Sequence, residues 1–208
     1  MTDYHDNEER LNVITHGIGA VVAFFASIFL IYKTIYLPTN QWLSIWAYCF
    51  GLLFVLGSST LYHIAKTVEK RRLYKKLDHT AIYYLIAGTY TPFLSICIPT
   101  TKAHYLLIAL WVITAIGTIF KLIFAHRFQK VSLIAYLTMG WFAVLIFNDM
   151  THYLPKNSFE YVVWGGIAYS VGAIFYALKK IRYTHVIWHI FVLLGAGLHF
   201  TAIYKAIL

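Results

Sequence analysis

Apolar residues in this chain come in long blocks, and polar residues fall between the blocks. Seven runs of roughly 20 residues stand out, at positions 15–36, 42–65, 79–98, 103–125, 131–150, 159–178 and 184–207. An α-helix rises about 1.5 Å per residue, so each run is long enough to cross the roughly 30 Å hydrocarbon core of a bilayer. The connections are short. The pattern therefore predicts one all-α domain, a seven-helix transmembrane bundle over residues 15–208, preceded by a polar N-terminal segment at 1–14. Pro38, Pro99 and Pro155 fall in connections, while Pro92 falls inside the third run and predicts a kink there. Gly195-Ala196-Gly197 predicts a small-residue surface for close helix approach.

Composition agrees with a membrane setting. Hydrophobic residues make up 60% of the chain and charged residues 12%, about half the charged fraction usual in soluble domains. The 17 tyrosines and 15 phenylalanines suit the aromatic belts at both interfaces. A formal charge of +9 in a soluble chain would suggest nucleic acid. Here the cations sit between apolar runs, so no nucleic-acid partner is expected and the charge reads as a topology signal. Lys66, Lys70, Arg71, Arg72, Lys75, Lys76, Arg127, Lys130, Lys179, Lys180 and Arg182 lie in even-numbered connections, against Lys102 and Lys156 in odd ones. The positive-inside rule puts the even connections and the N-terminus in the cytoplasm and the C-terminus outside. The acids Asp3, Asp6, Glu8 and Glu9 precede a first run with no cleavage site, so no cleavable signal is expected. Cys49 and Cys97 lie in apolar runs without a CxxC and read as packing residues.

Polar residues inside the runs carry the candidate chemistry. His185 and His189 are four residues apart, on one helix face and about 6 Å apart along the axis. Polar side chains in a bilayer are costly and need partners. The topology puts His16, His63 and Asp78 at the same depth as this pair. Three imidazoles with one position left open suit Zn²⁺, and two ligands from one helix follow the geometric logic of HExxH. In this reading His63, His185 and His189 are the metal ligands. Asp78 holds a water or acts as general base. Ser59, one turn before His63, orients a ligand or donates to a developing oxyanion. Ordinary readings stand beside these. HxxxH alone is a weak motif. Asp78 opens the third run, where an aspartate is a common N-cap. Ser59 can bond a carbonyl one turn back. His16 and His79 fit an interface. His199 lies about 21 Å beyond His185, too far to ligate the same ion, and reads as a core hydrogen-bonding or outer-cavity residue. His5, His104, His126 and His152 read as loop or interface residues.

Ser59-Thr60-Leu61-Tyr62-His63, Leu77-Asp78, and His185-x-x-x-His189 followed by Phe191 and His199-Phe200 together resemble the hemolysin III group. That group lies within the wider superfamily of progestin and adipoQ receptors, alkaline ceramidases and related membrane hydrolases. Glu9-Arg10-x-Asn12-x-x-Thr15-His16-x-x-Gly19 resembles the opening of hemolysin III proteins. The resemblance covers essentially the whole chain. It implies seven helices, a cytoplasmic N-terminus and a zinc ion near that side, held by the residues matching His63, His185 and His189. It also implies an aspartate at Asp78 holding a zinc-bound water, with the serine at Ser59 nearby. The superfamily's enzymes hydrolyse lipid amides. The receptors have a long N-terminal cytoplasmic region that this chain lacks, so a hormone-receptor role is not expected.

Three functions follow as expectations, all at the cell membrane and with lipid as partner. The first is a zinc-dependent hydrolase of lipid amides or esters, with Asp78 taking a proton. The second is a pore-forming cytolysin, although no polar face repeats along several runs. The third is a non-enzymatic regulator or sensor of membrane lipid state or energetics, using the histidines as ion or proton sites. The oligomeric state is left open.

Overall fold

The structure, a computed structural model, describes residues 6–124, 128–178 and 181–208. The expected loop histidines His5 and His126, the cations Arg127, Lys179 and Lys180, and the end of the fourth run at 125 lie outside the described residues. Among the described residues the chain is helical, with no strand. The first four predicted spans are α1 (Asp6–Lys33), α2 (Thr39–Ile64), α3 (Val68–Pro92) and α4 (Thr101–Phe124). The fifth is built from α5 (Gln129–Gly140), a 3₁₀ segment (Trp141–Ile146) and α6 (Phe147–Tyr153). The last two are α7 (Lys156–Ala177) and α8 (Thr184–Ile207). Five of the seven spans, all but the third and sixth, are long and apolar enough by themselves to cross a membrane. The chain is a multi-pass membrane protein.

The helices are inside out relative to those of a soluble protein. On α1, Ile14, Ile18, Val21, Phe25 and Ile28 face outward, and Glu9, Asn12, His16, Gly19, Ala23 and Ser27 are buried. The inward set recurs every three or four residues, which is one helical face. Such a face turns polar and small groups toward protein and leaves the apolar face to lipid. Residues 6–14 of the expected N-terminal segment are helical and continuous with the first span.

Most successive spans pack on one another, but the fifth lies against α3 and α7, and α8 also lies against α1, so the first and last spans meet. The closest approach is between α2 and α3. A Cβ added at Gly51 would lie 2.5 Å from the Tyr84 carbonyl oxygen, and one at Gly88 would lie 2.7 Å from that of Ala47. The Gly195-Ala196-Gly197 surface is narrower than expected. Gly195 seats the Tyr169 ring, whereas Gly197 is exposed with nothing near its Cβ position.

Two predicted boundaries move. The basic stretch after the second span is helical from Val68, capped by the Thr67 hydroxyl accepting from Lys70 N. Much of the basic run therefore forms the first turns of α3. Pro92 ends α3, and the chain continues as a π-helical turn, Phe93–Cys97, where the kink was expected. The break in the fifth span carries no proline. Here the Tyr90 hydroxyl donates to Gly140 O (2.6 Å) and accepts from Ala143 N (2.7 Å), satisfying backbone groups that the 3₁₀ segment leaves open. Tyr90→Phe is expected to lower stability by about 1–3 kcal/mol, the cost of leaving backbone polar groups unsatisfied away from water. Thermal unfolding in detergent checks this.

Candidate metal centre

The site lies at the end of the bundle that carries the basic residues. His63 comes from the last turn of α2, and His185 and His189 from the first turns of α8. One potential ligand atom from each of the three lies within 4.8 Å of the other two. Their ring centroids are 5.3 Å (63 to 185), 5.1 Å (63 to 189) and 4.6 Å (185 to 189) apart. Nitrogens bound tetrahedrally to zinc at ~2.0–2.1 Å lie about 3.3 Å from one another, so the three side chains need only small rotations to share an ion. Residues of this chemistry and spacing fit zinc.

Hydrogen bonds from α1 specify the tautomers. Glu9 Oε2 lies 2.5 Å from His63 Nδ1. A carboxylate only accepts, so Nδ1 carries the proton and Nε2 the lone pair. Thr15 Oγ1 donates to Leu11 O at 2.8 Å, which leaves the oxygen to accept from His189 Nδ1 at 3.1 Å. His189 therefore also keeps its lone pair on Nε2. Glu9 is bonded on its other oxygen to Arg71, whose guanidinium lies over the Tyr62 ring at 4.7 Å. Held between the guanidinium and the imidazole, the Glu9 carboxylate accepts from both.

Asp78 does not cap a helix. Thr67 caps α3, and Asp78 lies about three turns inside it, hydrogen-bonded to Ser59 across the α2–α3 contact. Both line the cavity that reaches His185 and His189. His16, expected at an interface, is 2% exposed and stacks on the His189 ring with centroids 3.5 Å apart. His79 is likewise buried. His199 stands apart, donating from Nε2 to Val162 O at 3.1 Å, as its separation along the helix predicts. His104 and His152 are exposed, as expected of interface residues. Cys49 and Cys97 are free thiols.

The cavity encloses about 580 Å³, within the range of small-molecule sites. Along α3 and the π-helical turn that follows it, its lining runs from Asp78 through Leu85, Ile86 and Phe93 to Leu94. Sixteen residues of helix make that about 24 Å, most of the thickness of a bilayer core. Ser59, Asp78, His185 and His189 line its histidine end, and its walls beyond are mainly apolar, with Thr89, Ser170 and His199 as polar exceptions.

Sequence reasoning did not find Glu9 and Thr15 as partners of the histidines, and it put His16 at their depth without placing it against the His189 ring. The available signal was the spacing 9, 12, 16, 19 in polar and small residues, which is a helical face where a disordered tail would show no period.

Residues 4–200 match the family described as Haemolysin-III related. The chain is 39% identical to Hemolysin-3 of Bacillus cereus over 194 residues, covering 93% of this chain and 89% of that one. It is 39% identical to the Hemolysin-3 homolog of Bacillus subtilis (strain 168), covering 93% and 91%. It is 29% identical over 208 residues to the human Monocyte to macrophage differentiation factor, covering 95% and 84%. No solved structure matches the chain.

Proposed function

Because the chain belongs to the Haemolysin-III related family, we propose that it is a zinc-dependent hydrolase of a lipid amide or ester, acting inside the cell membrane with its basic end in the cytoplasm. His63, His185 and His189 hold the metal. Zinc, when bound, supplies Lewis acidity toward a carbonyl and toward water. The remaining work falls to the chain. The Asp78 carboxylate would accept the proton given up by the attacking water and return it to the leaving nitrogen or oxygen as the acyl C–N or C–O bond breaks, leaving a fatty acid and an amine or alcohol. The Ser59 hydroxyl donates to that carboxylate and fixes its orientation. Leu85, Ile86, Phe93 and Leu94 take an acyl chain and exclude water along its length.

One observation carries the reading. His185 and His189 of the cluster border a cavity rather than a closed core, and Asp78 and Ser59 line the same space. A structural zinc site is closed by four protein ligands, whereas a catalytic one keeps a position open.

The test is release of fatty acid from a long-chain lipid amide by protein reconstituted in vesicles. Asp78→Asn is expected to cut turnover roughly 100-fold or more, the usual contribution of a general base, while zinc content stays at the native level. Zinc-loaded native protein that turns over neither amide nor ester overturns the hydrolase. Dye leakage from the vesicles without hydrolysis would support instead a lytic role, in line with the name of the Bacillus relatives.

A further inference from the structure

We infer that Glu9 and Thr15, both on α1, are positioning residues for the metal, orienting His63 and His189 through their Nδ1 atoms. The inference rests on the zinc reading of the histidine cluster and adds a role for the first helix, which supplies none of the three ligands.

The geometry supports it at two independent points. The Glu9 carboxylate meets His63 Nδ1 at 2.5 Å, and the Thr15 hydroxyl meets His189 Nδ1 at 3.1 Å. Metal-binding imidazoles commonly donate their second N–H to a carboxylate, hydroxyl or carbonyl, which fixes the tautomer and raises ligand basicity. Both partners here act at Nδ1, so both rings keep Nε2 for the ion. Charge points the same way. Three neutral imidazoles leave a divalent ion with its full +2 in a low-dielectric setting, where an unbalanced charge is expensive. The Glu9 carboxylate, hydrogen-bonded to His63, supplies negative charge toward balancing it. Arg71 binds the other oxygen of Glu9 and rests on Tyr62, away from the oxygen that meets His63. His16, stacked on the His189 ring, restrains that imidazole from its face.

The experiment measures zinc affinity by chelator competition, in detergent, for native protein and for Glu9→Gln, Thr15→Val and Arg71→Met. The melting temperature of each metal-free protein is measured alongside. Glu9→Gln keeps the size and an acceptor but loses the charge, and is expected to weaken zinc binding about 10–100-fold. Thr15→Val, an isostere, is expected to weaken it by about tenfold at the lower end of that range. Arg71→Met removes the ion pair but leaves the carboxylate on His63, so it should bind zinc within about threefold of native. A merely structural Glu9 predicts a different pattern, in which Glu9→Gln and Arg71→Met lower the metal-free melting temperature equally and leave zinc affinity equal. That pattern overturns the inference while the metal site stands. If Glu9→Gln cannot be purified, Thr15→Val decides alone, and native-like affinity in it overturns the inference. Native protein that takes up no zinc removes the site and the inference together.

Discussion

His189→Ala, purified in detergent, is expected to lose the zinc that native protein carries at about one per chain. Structural zinc sites with four ligands are worth roughly 10–16 kcal/mol. One ligand's share is therefore about 3 kcal/mol, or roughly a hundredfold in affinity, enough to empty the site during purification. His189 is 1% exposed and sits between His16, His63 and His185, so alanine there also leaves a void at the centre of the cluster. His63→Ala should lose zinc equally and destabilise more, because Glu9 then keeps Arg71 but loses its buried imidazole partner. Metal analysis by mass spectrometry reads both. Native protein without zinc, even after incubation with it, would refute the centre and with it the proposed hydrolysis.

The second large effect is expected far from any chemistry. Gly51→Val and Gly88→Val should each cost about 3 kcal/mol, the upper end for forcing extra atoms into a packed interior. At both positions the new Cβ meets backbone of the facing helix. At Gly51 these atoms are the Tyr84 carbonyl oxygen at 2.5 Å and carbon at 2.9 Å, and at Gly88 they are the Ala47 oxygen at 2.7 Å and the Tyr48 Cα at 3.3 Å. Backbone cannot rotate out of the way, so the helices must separate. Gly57 lies on the same helix as Gly51 but has nothing within 4 Å of its Cβ position. Gly57→Val should therefore unfold near the native temperature. If all three variants melt alike, the close α2–α3 approach is wrong. The contact also matters to function, because it sets Ser59 opposite Asp78.

The parts of this protein legible in its sequence are those set by local pattern. Seven apolar runs give seven spans because the bilayer requires a minimum helix length and imposes it within each segment. Pro38 and Pro155 mark helix starts, since each directly precedes a helix and lacks the N–H that a helix interior would need. The His185/His189 pair stands out because histidine is costly among apolar neighbours. What the pattern hid depends on partners distant in the chain. Asp78 has the local look of a cap, and only the helical basic stretch before it shows otherwise. A run of Lys and Arg reads as loop, yet Leu73, Tyr74 and Leu77 give it enough apolar spacing to continue a helix. The break in the fifth span is supported by the Tyr90 side chain, 50 residues from Gly140. No local rule could place it.

The hydrogen bond between Thr15 and His189 joins residues 174 positions apart, and this bears on how the protein is made. Helices enter the membrane in the order of translation, so α1 arrives with Glu9, Asn12 and His16 on one side and waits through five further spans for α8 to cover them. During that interval the polar stripe can be satisfied only by α2, by water at the interface or by the insertion machinery. A ribosome that stalls before the last helix leaves behind a product whose opening segment is poorly soluble in lipid. Completion of the chain and shielding of its beginning are thus one event, and a premature stop anywhere before residue 184 should mark the protein for disposal, however well its first six spans have inserted.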